Sequence, residues 1–164
     1  MRSGEQPGGS AMSGLLSDYP EPDSSPGLLL WRVTNAWQRA IRAALTPFDL
    51  THVQFVLLAS LVWMGNADPV TQRDLAEHAV TDPMMTSQVL RALEAKGLIT
   101  RARHSNDKRA WTLTPTSEGA QLARRANTAV EAADAAYFAA LGSQALGFLS
   151  SLRTLDQTHR KGPT

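Results

Sequence analysis

The 164-residue sequence predicts a mainly α-helical chain with one small β-hairpin. Three observations predict it. Apolar residues recur at helical spacing over most of the chain, two helix-start signals follow one another closely at 71–83, and a strand-like pattern occupies only 98–114. With 43% hydrophobic and 19% charged residues, a chain of this length can bury the core of one ordinary domain.

Residues 1–26 hold four of the nine prolines and many glycines and serines without an apolar period, which predicts a disordered N-terminal tail. The other reading is an arm that orders on a partner, although its acidity disfavours DNA. From Leu28 to Leu45, Leu30, Val33, Trp37, Ile41 and Leu45 recur at three- and four-residue steps while Arg32, Arg39 and Arg42 fall elsewhere, the mark of an amphipathic helix. Pro47 ends it. Thr51-His52-Val53-Gln54 has capping-box spacing and opens a helix to Met64 that is apolar on most sides, so it belongs at the centre of a bundle.

Thr71 to Asp74 gives a weaker start signal for a short helix burying Leu75 and Ala79. The next helix is bounded more clearly, by Asp82 as cap, Pro83 at its first position and Lys96-Gly97 at its end. Two short helices so joined outline a helix-turn-helix. Leu98 to Arg103 and Ala110 to Thr114 then read as strands around a polar tip, His104 to Arg109, forming a wing. Thr114-Pro115 restarts a helix with Glu118 in its first turn, continuing to Ala140. A last helix from Ser143 to about Leu155 carries Leu146, Leu149, Leu152 and Leu155 at three-residue steps, with Phe148 nearby. Apolar positions at both ends of the chain call for a partner subunit.

Charge narrows the function classes. The net charge is only +1, but residues 1–27 hold four acids and one base, leaving 15 bases against 11 acids in the rest. Residues 82–109 alone carry six bases and three acids. The chain has no cysteine, which excludes disulfides and thiolate metal sites. The longest strongly apolar run, Phe55 to Met64, is half of the ~20 residues a bilayer crossing needs, and no leader opens the chain, so a cytoplasmic protein without a membrane segment is expected.

On a helical wheel of 82–96, Met85, Val89, Leu90 and Leu93 form an apolar sector, and Met84, Ser87, Gln88 and Arg91 point the other way. The polar set suits groove reading: Gln pairs with adenine, Arg reaches guanine or phosphate, Ser adapts, and Met touches a thymine methyl. A solvated helix face is the alternative; the order of elements around it favours DNA. Arg101, Arg103, Lys108 and Arg109 put four cations on the wing, able to straddle phosphates and enter a minor groove. Asp107 would orient Arg109 or Arg101. A merely solubilising hairpin tip is the competing reading.

Four ordered blocks resemble the multiple antibiotic resistance regulator (MarR) family: Thr71-Gln72-Arg73-Asp74-Leu75-Ala76, Leu93-Glu94-Ala95-Lys96-Gly97-Leu98-Ile99-x-Arg101, Asn106-Asp107-Lys108-Arg109-Ala110, and Leu113-Thr114-Pro115-Thr116-Ser117-Glu118-Gly119. The likeness runs from about Leu28 to Leu155. It implies a winged helix-turn-helix plus a helical dimerisation region, in a bacterial homodimer whose first and last helices interlock. It also implies Arg109 in the minor groove and Ser87, Gln88 and Arg91 in the major groove. The expected organisation is a tail at 1–26, a domain at 27–158 with dimerisation helices at 28–46 and 115–158 around a DNA-binding lobe at 51–114, and a frayed end at 159–164. The expected DNA contacts are Thr71, Gln72, Arg73, Met84, Thr86, Ser87, Gln88, Arg91, Arg101, Arg103, Lys108 and Arg109, with Asp107 supporting the wing.

Many relatives release DNA when a small aromatic acid or phenol binds between the dimerisation helices and the DNA-binding lobe. Trp37, Phe48, His52, Phe55 and Trp63 offer rings and one polar anchor for such an aromatic effector; ordinary core packing is the other reading. The family's peroxide sensors need a cysteine that is absent here, and His52, His78, His104 and His159 are scattered, so neither a metal nor a cofactor is expected. The expected function is a ligand-responsive repressor that binds double-stranded DNA at a pseudo-palindromic operator, with half-sites ~10 base pairs apart. The alternative is a winged-helix protein-interaction module without DNA binding. No nucleophile triad, phosphate loop or paired acids mark the chain as an enzyme.

Overall fold

The computed structural model describes residues 17–65, 70–103 and 111–160. Among the described residues, six α-helices, α1 (Pro26–Leu45), α2 (His52–Met64), α3 (Gln72–Ala79), α4 (Pro83–Ala95), α5 (Ser117–Phe138) and α6 (Ala145–Arg160), accompany three strands, β1 (Val70–Thr71), β2 (Ile99–Arg103) and β3 (Trp111–Pro115). The chain divides into two compact units, residues 1–35 and 36–164.

In the first unit, helix α1 starts two residues before the expected Leu28. Ser25 accepts from Leu28 N at 3.3 Å through its hydroxyl, and Pro26 supplies the preset first angle. A 3₁₀ turn at Pro22–Ser24 precedes it, and Asp23 pairs with Arg32. Residues 22–26 form this turn and the start of α1, within the stretch expected as a tail; residues 1–16 lie outside the described ones. Leu29, Leu30, Trp31 and Val33 present exposed apolar side chains.

The second unit is built on α2, which touches α3, α4, α5 and β3. Both halves of its capping box form: Thr51 Oγ1 accepts from Gln54 N at 3.2 Å, and Gln54 Oε1 accepts from Thr51 N at 3.1 Å. Phe55, Leu57, Leu58 and Leu61 are buried in a core shared with Ile41, Leu45, Leu75, Leu90, Leu93, Leu113, Ala123 and Ala126. Full burial of a leucine contributes about 1.5–3 kcal/mol, so this central helix is held by its surroundings more than by propensity.

The sheet has the order β1-β3-β2, all antiparallel. Strand β1 is an addition to the expected hairpin: Val70 pairs with Leu113 and Thr71 with Thr112, joining the start of the helix-turn-helix to the wing. Strand β3 extends through Pro115, so α5 starts at Ser117 with Thr116 as cap rather than at Thr114-Pro115. Gly119 lies against the backbone of Leu98; a Cβ there would stand 1.9 Å from Leu98 O. Beyond α5 the chain bends at Gly142 (φ 50°), in a 3₁₀ stretch at Ala139–Gln144, and α6 runs further than the expected Leu155.

Candidate nucleic-acid interface

Helices α3 and α4 are held by interlocking caps. Thr71 Oγ1 accepts from Asp74 N at 3.1 Å while Asp74 Oδ2 accepts from Thr71 N at 3.1 Å, and Asp82 Oδ1 accepts from both Met84 N and Met85 N at 2.9 Å. Thr71 Oγ1 also donates to Asp74 at 2.6 Å, so this hydroxyl is committed to the cap. Between the helices Val80 takes a left-handed conformation (φ 51°) while 66% exposed. The helix end at Lys96-Gly97 is fixed by Leu98 N donating to Leu93 O at 3.0 Å, with Gly97 at φ 71°, and Lys96 Nζ reaches Asp49 Oδ2 at 2.8 Å.

The buried stripe of α4 is Thr86, Leu90 and Leu93. This corrects the expected placement of Thr86 on the DNA: the side chain is fully buried, donates to Asp82 O at 2.8 Å and lies 2.8 Å from Thr81 Oγ1. A satisfied hydroxyl can replace an apolar residue in the stripe, which turns Met85 outward, contrary to the wheel. Met84 is 73% exposed; Gln88 and Arg91 are exposed, Ser87 is half-buried, and Arg91 Nη2 lies 3.3 Å from Ser87 Oγ. These four share a surface of α4 that no other described element covers.

On α3, Arg73 is exposed and donates to Glu77 at 2.7 Å, which raises its already high pKa. Gln72 is half-buried and accepts from Arg101 Nη2 at 3.3 Å. Arg101 is therefore corrected from a surface contact to an inward cation: its side chain is 10% exposed and faces Glu94 at 3.8 Å. Strand alternation puts Arg101 on the face that carries Ile99 inward. Arg103 is exposed, with its guanidinium 4.2 Å from the Trp111 ring centroid. Asp107, Lys108 and Arg109 lie outside the described residues.

The expected effector group is partly assembled. Trp37 and His52 meet edge to face at 5.2 Å, Phe55 is buried and Phe48 half-buried against the same core. Trp63 leaves the group: it is 76% exposed, because it falls on the side of α2 that its neighbours do not cover. Asp134 enters instead, accepting from Trp37 Nε1 at 2.7 Å across 97 residues of sequence. Partial burial lowers the His52 pKa below 6.5 by desolvating the imidazolium; Asp134 opposes this and Arg42 adds to it. Asp134 and Trp111 were missed from sequence, although Trp111 and Leu113 at alternate positions marked one inward face. Among the described residues no cluster of three or more histidines and acids could hold a metal ion.

At the far end of the second unit, Leu146 is 81% exposed, and Leu149, Leu152 and Leu155 are exposed along α6. Phe138, Leu141, Ala145, Phe148, Leu149 and Leu152 line an apolar cavity of about 200 Å³.

The MarR family model matches residues 50–111. The uncharacterised HTH-type transcriptional regulator YdcH of Bacillus subtilis strain 168 is 45% identical over 140 residues, covering 85% of this chain and 95% of that one. The HTH-type transcriptional repressor Rv2887 of Mycobacterium tuberculosis H37Rv is 36% identical over 128 residues, covering 78% and 86%. Solved structures of Rv2887 are similar both in complex with DNA (TM-score 0.62, 34% identity, 80% and 97% covered) and in complex with p-aminosalicylic acid (TM-score 0.63, 34% identity, 80% and 98% covered). The crystal structure of CouR from Rhodococcus jostii RHA1 bound to p-coumaroyl-CoA is similar with a TM-score of 0.73 at 25% identity, covering 89% and 99%. With the helix-turn-helix, the wing strands and these relatives in agreement, the chain belongs to the MarR family of winged helix-turn-helix transcription regulators.

Proposed function

We propose that this chain is a repressor that binds double-stranded DNA as a homodimer and responds to a small aromatic effector. The observation that carries the reading is the outer face of α4, where Met84, Ser87, Gln88 and Arg91 stand on a helix anchored behind by Thr86, Leu90 and Leu93. These side chains supply the donors, acceptors and apolar contacts that major-groove edges require. Arg73, Arg103 and, from the sequence, Lys108 and Arg109 would bind phosphates or the minor groove, with Asp107 supporting the wing. Gln72 and Thr71 act there through the cap and through Arg101 rather than as free contacts.

Two such helices related by a two-fold axis would enter successive major grooves, about 10 base pairs apart. The 42-residue run Ser117–Thr158 is long and apolar enough by composition to cross a bilayer. We read its exposed leucines as a subunit interface instead, because Gly142 breaks the run and α5 buries Ala123, Ala126 and Val130 in the core. A cytoplasmic, non-enzymatic protein follows from this reading. The relatives that hold p-aminosalicylic acid and p-coumaroyl-CoA support an aromatic effector, and Trp37, Phe48, His52 and Phe55 are the rings that would meet it.

The test is fluorescence anisotropy with duplexes that the full-length chain enriches from a random pool. Arg91→Ala should cost about 1–3 kcal/mol and relax preference at one base position, and Arg109→Ala should weaken binding across all sequences. Unchanged affinity in both variants would overturn the reading.

A further inference from the structure

Arg101 is a wing cation that the fold turns inward. Its Nη2 donates to Gln72 Oε1 at 3.3 Å, its Nη1 lies 3.8 Å from Glu94 Oε2, and its guanidinium carbon stands 4.9 Å from the centroid of the Trp111 ring. Those partners belong to three elements: the first residue of α3, the last turn of α4 and the first residue of β3. Arg101 itself sits midway along β2, opposite Leu113. One guanidinium thus touches both helices of the helix-turn-helix and the neighbouring wing strand.

We propose that Arg101 is a positioning residue for DNA binding: through Gln72, Glu94 and Trp111 it fixes the base of the wing against the recognition helix, so that both meet the duplex in one geometry. This rests on the DNA-binding reading and adds to it a residue that does not touch DNA.

Stability alone does not account for the arrangement. Among the described residues, the buried Nε of Arg101 has no hydrogen-bond partner. Among the described residues, one 3.3 Å hydrogen bond and one 3.8 Å ion pair replace only in part the hydration given up by a side chain that is 10% exposed. An apolar side chain of similar length would fill the space at no such cost. What the guanidinium supplies is direction, because its planar fork holds several groups at fixed angles. The Trp111 ring beside it also carries Arg103, 4.2 Å away and exposed, so the ring that Arg101 fixes in turn aims a cation at the surface. A frame ordered on folding spares the complex the entropy of ordering a hinged wing at each encounter.

The experiment measures Kd, its salt dependence and urea unfolding for the full chain on the enriched duplex, with Arg101→Lys, Arg101→Met, Glu94→Gln, Trp111→Leu and the Arg101→Met/Trp111→Leu pair. Residues in one network couple by amounts that correspond to about tenfold in an equilibrium constant. Arg101→Lys and Arg101→Met should each weaken binding roughly tenfold, as coupling of that size implies, although lysine keeps the charge. Trp111→Leu should weaken it as well, and the double variant should be little worse than the worse single one. Arg101→Met should leave the unfolding midpoint nearly unchanged. Glu94→Gln is the sharpest arm: it removes an anion from the DNA-facing lobe, which by charge alone would tighten binding, yet it should weaken it.

The proposal is overturned by an Arg101→Lys variant with wild-type affinity, by tighter binding in Glu94→Gln, or by additive effects of Arg101 and Trp111. A salt slope lower by about 0.9 in Arg101→Met, with Trp111→Leu neutral, would make Arg101 a direct phosphate contact instead. Should Arg101→Met not fold, Arg101→Lys and Glu94→Gln decide the matter. A wild-type chain that enriches no duplex defeats the DNA-binding reading itself, whereas wild-type binding with a flat variant series defeats only the role of Arg101.

Discussion

Gly119→Ala tests the closest approach of a backbone to any of the described glycines. A Cβ at Gly119 would stand 1.9 Å from Leu98 O, 2.8 Å from Leu98 C and 3.1 Å from Leu98 Cα. All three atoms are backbone, so no side chain can swing aside. Reaching even 3.0 Å from the oxygen requires the start of α5 to move at least about 1.1 Å away. That movement strains a tight joint: Thr116 N donates to Leu98 O at 3.0 Å, Thr116 Oγ1 donates to Gly97 O at 2.8 Å, and Gly119 N donates back to Thr116 Oγ1 at 3.0 Å. Overpacking costs about 1–3 kcal/mol and a broken, partly buried hydrogen bond about 1–3 more. The better helix propensity of alanine returns at most about 1 kcal/mol. The net expectation is a loss of about 2–4 kcal/mol, or roughly 5–15 °C in Tm for a chain of this size. Urea and thermal unfolding followed by circular dichroism, at one protein concentration because a dimer's Tm depends on it, read the effect. Gly27→Ala is the control, since nothing lies within 4 Å of its Cβ position, and it should be neutral or stabilising by under about 1 kcal/mol. Wild-type stability in Gly119→Ala would refute the close approach.

Val80→Gly should stabilise the chain by about 0.5–1 kcal/mol, because a left-handed β-branched residue is strained by about 1–2 kcal/mol, more than glycine loses in added unfolded-state freedom. Little packing is lost at a side chain 66% exposed, so a drop in the urea midpoint would contradict the strain. The lowered pKa of His52 sets a pH dependence: the unfolded chain takes up this proton near pH 6.5 and the folded chain only at lower pH. Its stabilising contribution is therefore complete above pH 6.5 and is lost as pH falls through the folded value; a His52→Gln variant should lack this component in urea midpoints taken from pH 8 to 5. Asp134→Asn removes the opposing carboxylate, so the NMR titration midpoint of His52 should move further down, and an upward move would reverse the assigned cause.

What the sequence by itself determined is what neighbours within about four residues decide. The capping boxes at Thr51–Gln54 and Thr71–Asp74, the Asp82 cap and the Lys96-Gly97 stop are short-range arrangements, and they were enough to read the helix-turn-helix, the wing strands and the outer positions Met84, Gln88 and Arg91. Only the tertiary structure decided which of the remaining polar residues serve the surface. Thr86 falls inward because one hydroxyl, that of Thr81, and one carbonyl, that of Asp82, satisfy it, and Arg101 because Gln72, Glu94 and Trp111 converge on it. Trp63 falls outward because α2 is uncovered there, although its composition equals that of the buried side. Strand β1, the Trp37–Asp134 bond and the seat of Gly119 on Leu98 likewise join segments far apart in sequence. Periodicity assigns a residue to a face of its own element; which faces meet, and at what distance, is settled only when the elements pack.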